Sequence, residues 1–71
     1  MKQKYIITVN HPIQGKTTSD ETECTQEEID GLTDMLLSEK GYLKFLTNNG
    51  QTTVIFRAPY LNLCSVYFNK V

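Results

Sequence analysis

Residues 25–58, TQEEIDGLTDMLLSEKGYLKFLTNNGQTTVIFRA, decide the fold. Thr25 and Glu28 have the spacing of a capping box, in which the threonine hydroxyl and the glutamate carboxylate each satisfy a backbone donor at a helix start. Glu27, Glu28 and Asp30 suit the positive end of the helix dipole. Ile29, Leu32, Leu36 and Leu37 then recur at helical spacing. Lys40 closes the last turn, and Gly41 fits the left-handed position just past a helix end. The spacing therefore predicts a helix over residues 26–40, ~22 Å long. Residues 42–47 read as a strand. Asn48-Asn49-Gly50 is a hairpin turn, because Asn and Gly tolerate positive φ. Residues 51–58 return as a strand with Val54, Phe56 and Ala58 on one face.

Working outward, residues 4–10 (KYIITVN) alternate as a strand, with Tyr5, Ile7 and Val9 on one face. Its length, ~23 Å, matches the helix, so the helix can cover one sheet face. Residues 14–28 are polar except for Cys24. Two readings stand for this stretch: a turn over 12–16 with 17–23 returning as a polar edge strand, or an exposed mobile loop. On the other side Pro59 interrupts the ladder, and residues 61–70 resume alternation. The expected fold is α+β, one domain over residues 1–71, with one helix packed on a mostly antiparallel sheet of four to five strands.

A chain of 71 residues with 39% apolar content buries only about 60% of its unfolded surface, so its stability is marginal and gains from a partner. The first ten residues lack the long apolar stretch of a signal peptide, and no apolar run reaches the ~20 residues of a membrane span. A cytoplasmic protein is expected. The two cysteines are too few for a disulfide scaffold and are expected as free thiols, Cys24 at the surface and Cys64 in the core.

No catalytic constellation is present. His11 is the single histidine and reads as a surface turn residue beside Pro12. A Cys24–His11 pair lacks an orienting third group. The four glycines are scattered rather than gathered into a phosphate loop, and no Cys or His spacing suggests zinc. Neither enzyme activity, nor a cofactor, nor a metal is expected.

Charge is the informative remainder. All eight acidic residues lie between Asp20 and Glu39, and all seven Lys and Arg lie outside that window. At 100° per residue Glu27, Asp30 and Asp34 form one exposed stripe, with Asp20 and Glu23 preceding it. This surface is either a solvated helix face with dipole complementation or a recognition surface for a basic partner. A second candidate is the sheet face away from the helix, which carries Ile6, Leu46 and Leu63 together with Tyr42, Lys44, Ile55, Arg57 and Tyr67. That mixture reads as a homodimer interface, as tolerated exposure, or as a ligand face in which tyrosines stack and Lys44 and Arg57 meet phosphate. Basic residues are too few for direct nucleic-acid binding to be expected.

The run EEIDGLTDMLLSEKGYLKFLTNNGQTTVIF, an acidic helix leading through glycine into a compact hairpin, resembles small accessory proteins encoded by bacteriophages, including those of the anti-CRISPR type. The resemblance implies inhibition of a host protein by binding rather than catalysis, and it assigns no functional residue. The expectation is thus a non-catalytic binding protein, dimeric, whose acidic surface engages a basic, nucleic-acid-handling protein. The alternative is a small-ligand or nucleotide binder that uses the basic and aromatic sheet face or a dimer cleft.

Overall fold

The structure, a computed structural model, describes residues 2–38 and 40–71. Glu39, the last acid of the charged window and part of the expected helix, lies outside the described residues.

The central strand is β1 (Gln3–His11). One of its edges takes β6 (Ser65–Lys70) antiparallel, from Tyr5↔Lys70 to Asn10↔Ser65. The other edge takes β2 (Gly15–Thr18) and then β3 (Thr22–Cys24). A strand has only two edges, and β6 overlaps both partners, so β2 and β3 are one interrupted strand on the same side. The hairpin reading of the polar stretch therefore holds. An unbroken ladder from Thr8↔Thr18 would set Tyr5 against Glu21, yet Tyr5 faces Thr22. One extra residue is accommodated at 19–21 as a β-bulge, which bends the strand. Ser19 repairs the break. Its N–H donates to the Ile7 carbonyl at 2.8 Å, and its hydroxyl oxygen accepts the Ile7 N–H at 2.8 Å.

Strands β4 (Tyr42–Thr47) and β5 (Thr52–Arg57) form the second antiparallel pair. Asn48, Asn49 and Gly50 all have positive φ, as the turn signal requires. Leu43 lies opposite Phe56, and Phe45 opposite Val54. These four join Ile7, Val9, Val66, Phe68 and Leu61 in the main core. The expected core face is therefore the one observed, but it is divided between a sheet and a hairpin. The two meet at the bulge, where Asp20 N–H donates to the Leu46 carbonyl at 2.9 Å.

Helix α1 (Gln26–Leu37) starts at the predicted capping box: Glu28 N–H donates to Thr25 Oγ1 at 3.1 Å, and Thr25 N–H to Glu28 Oε1 at 3.3 Å. Ile29 packs with Tyr5, Cys24 and Phe68, while Leu32 and Leu36 pack on the main core. The helix ends at Ser38 rather than at Lys40. The Ser38 hydroxyl donates to the Met35 carbonyl at 2.9 Å, and the Lys40 N–H reaches the same carbonyl. Gly41 keeps its positive φ of 83° but serves the turn into β4, where a Cβ would come within 2.7 Å of Met35 Sδ. Leu37 is 78% exposed, contrary to its expected place on the buried face, because it lies about 80° around the helix from Ile29.

After Pro59 the chain departs from the expected strand. Residues 61–64 do not belong to a strand. A one-turn helix, α2 (Ala58–Leu61), precedes β6, with the proline in its first turn, where a missing N–H costs nothing. This turn buries Ala58 and Leu61. It also inserts Tyr60 between the rings of His11 and Phe56, with centroids 5.0 and 5.3 Å away. No helix of the described residues is long and apolar enough to cross a membrane.

Candidate binding surfaces

The acidic window divides into residues that serve the fold and residues that do not. Asp20 serves it. One carboxylate oxygen accepts the Gly50 N–H at 2.7 Å and the other the Asn49 N–H at 3.2 Å. Three successive left-handed residues turn these amides toward one point, an arrangement suited to an anion. Asp20, expected among the partner contacts, thus spends both oxygens on the hairpin turn. Glu28 is committed to the capping box. Glu27 complements the dipole in the first turn, and Asp30 accepts from Gln26 Nε2 at 3.0 Å.

Among the described residues Asp34 has no such role. It lies in the last turn of α1, which carries no basic residue, so its charge opposes the dipole there. Glu21, Glu23, Glu27, Asp30 and Asp34 are all exposed. Glu23 lies opposite Lys4 on the outward face of the sheet. Glu21 and Glu23 flank and occupy β3, Glu27, Asp30 and Asp34 follow on α1, and the expected helix stripe is exposed to solvent.

On the outward face of the hairpin, Tyr42 lies opposite Arg57 and Lys44 opposite Ile55. With Gly41 these four residues line a groove of about 460 Å³. Tyr42 and Ile55 are both more than half exposed. Tyr67, expected on the same face, lies apart on β6 opposite Thr8. Thr8 itself is buried.

Two further expectations change. His11 is buried, 9% exposed, and its Nδ1 accepts the N–H groups of Ile13 and Gln14 at 3.0 Å each. It is the acceptor that closes the β1–β2 turn, with its proton on Nε2. Cys24 is not a surface thiol; it is 6% exposed against Tyr5 and Ile29. Burial pushes its pKa up, the Glu28 carboxylate adds to that, and Lys2 opposes it. A raised pKa lowers the thiolate fraction, and only the thiolate is nucleophilic. Iodoacetamide at neutral pH should therefore label Cys24 at least about tenfold more slowly than an unfolded control, as peptide mass mapping would show. Equal rates would contradict the packing of Cys24 beneath α1. Among the described residues, no group of three His, Cys, Asp or Glu is placed to hold a metal ion.

The chain matches no protein-family model, no curated protein and no solved structure.

Proposed function

We propose that this protein is a non-catalytic binding protein, of the kind used by phages to inhibit a host factor, whose acidic surface on β3 and α1 engages a basic, nucleic-acid-handling protein. The observation that supports this reading most is Asp34. An acid in the last helical turn, without a basic neighbour in that turn, weakens the helix it stands on, so the fold gives no reason for it. Together with Glu27 and Asp30 it extends a negative array along a rigid element, and such arrays steer and orient basic partners.

The test uses the triple variant Glu27→Lys, Asp30→Lys, Asp34→Lys beside the wild type in capture from a host lysate. A protein retained by the wild type should bind the variant more weakly by on the order of a hundredfold at low salt. The Asp34→Lys change alone should leave the melting temperature unchanged or raise it, since a cation suits that helix end. Equal retention of every captured protein by both forms would remove the stripe from consideration.

A second reading rests on the hairpin groove, where Tyr42 and Arg57 face each other beside Lys44. That set suits a planar anion such as a nucleotide, with stacking on the ring and phosphate on the cations. A rise in melting temperature with one nucleotide, lost on Arg57→Ala, would favour it over the acidic surface. The exposed apolar residues of the same face, Leu46 and Ile55, are also the motive for a homodimer; Leu63, exposed as well, lies in the turn after α2 rather than on that face. A sedimentation coefficient independent of concentration would exclude self-association.

A further inference from the structure

The bulge that bends the β2–β3 strand leaves an opening beside it. Beyond the Asp20–Leu46 bond, no backbone bond joins β3 to β4 among the described residues. The two strands instead border a cleft of about 500 Å³, with residues 20–23 on one bank and residues 44–46 on the other. The registers state which backbone groups face it. Even-numbered residues of β1 bond toward β6, as the Val71 N–H to Lys4 carbonyl bond shows, and odd-numbered ones toward β2 and β3, as Ser19 N–H to the Ile7 carbonyl shows. In the β1–β3 ladder Tyr5↔Thr22 and Gln3↔Cys24 are then the hydrogen-bonded pairs, and the N–H and C=O of Glu23 point outward into the cleft, with exposed Glu21 next to them at the bulge. On the far bank Gly41 bonds Ala58, so the outward groups of β4 are those of Lys44 and Leu46.

We infer that the β3 edge is a strand-addition site for an extended basic segment of the partner, which pairs antiparallel with residues 21–23. This deepens the proposed function and rests on its basic partner. Charge selects the bank and the occupant. Glu23 already stands opposite Lys4 across β1–β3. A lysine or arginine on its open side repeats that cross-strand pair, and a second basic residue two positions along meets Glu21. The β4 bank, with Lys44, repels the same segment. A second copy of this chain is disfavoured at the edge, because pairing β3 with β3 sets glutamates against glutamates.

The register makes the test specific. A residue directly opposite Glu23 in a hydrogen-bonded pair has its side chain on the Glu23 face and its own N–H and C=O toward β3. In an eight-residue peptide of alternating lysine and threonine, capped at both ends, the lysines take that place. Binding is measured by NMR at low salt for this peptide and for two counterparts, one N-methylated at the lysines and one at the threonines. The lysine-methylated form should bind at least about tenfold more weakly, while the threonine-methylated form keeps its affinity. The amides of Glu21 and Glu23 should shift, and Glu23→Lys should abolish binding. Equal binding of all three peptides, with shifts confined to Glu27, Asp30 and Asp34, overturns strand addition but leaves the acidic-surface reading standing. Absence of binding by every form overturns both. Protection of Glu21 and Glu23 amides that grows with protein concentration alone assigns the edge to a second copy and overturns the inference.

Discussion

Leu43→Ala should destabilise the protein by about 3 kcal/mol. Leu43 is 1% exposed and touches both halves of the core, where Ile7 and Val9 of β1 meet Phe45 of β4 and Leu61 of α2. Truncation removes buried methyl groups and leaves a cavity that two rigid strand pairs cannot fully close. A domain of this size has a total stability of only about 5 kcal/mol, so most of its margin disappears. Urea denaturation followed by circular dichroism gives the measurement: the midpoint should fall by more than half with an unchanged slope. A loss below about 1 kcal/mol would mean that the β4–β5 hairpin does not pack on β1.

Asp20→Ala should cost about 2 kcal/mol, an unusual loss for a half-exposed acid. The carboxylate accepts two backbone N–H groups from the hairpin turn, and the turn holds three residues in the left-handed region, two of them asparagines. Without the anion those amides lose their shared acceptor, and among the described residues the tip of the hairpin is then tied to the sheet by the Asp20–Leu46 and Thr47–Thr18 bonds. Asp20→Asn keeps one good acceptor and should recover about half of the loss. Hydrogen exchange at Asn49 and Gly50 should accelerate in the alanine variant before the β1–β6 ladder is affected. Unchanged protection at both amides would show that the turn is self-supporting.

Much of this was legible in the sequence, and the exceptions have particular causes. The capping box, the Asn-Asn-Gly turn and the alternation of Tyr5, Ile7 and Val9 are local patterns, and local physics decides them. Helix α2 was not legible because Pro59 reads equally as a strand breaker and as a first-turn helix residue. What favours the helix is the burial of Ala58 and Leu61, a tertiary fact. The early end of α1 depends on the Ser38 hydroxyl returning to Met35, for which the sequence has no distinct signal. The bulge is visible only as a one-residue slip between two registers of the same partner strand.

The candidate surfaces divide in the same way. Exposure of Glu27, Asp30 and Asp34 follows from helical periodicity alone. The pairing of Tyr42 with Arg57 follows from the length of the turn between their strands. The internal role of Asp20 does not, because it requires a contact across some thirty positions with amides whose direction depends on three unusual φ angles. Burial of His11 likewise depends on Tyr60, which reaches it only once α2 has formed.

The order in which the strands occur has a further consequence. β1 is made before the other strands and occupies the middle of its sheet, but β6, which covers its second edge, follows all the other elements. While the chain is being synthesised, the backbone groups of Ile6, Thr8 and Asn10 stand along an uncovered edge, ready to pair with whatever strand arrives. Contacts between segments far apart in sequence also form slowly. A nascent copy that meets another before residues 65–70 exist can borrow that strand from its neighbour, so yield and solubility during expression should depend more steeply on temperature and synthesis rate than the stability of the finished domain would suggest.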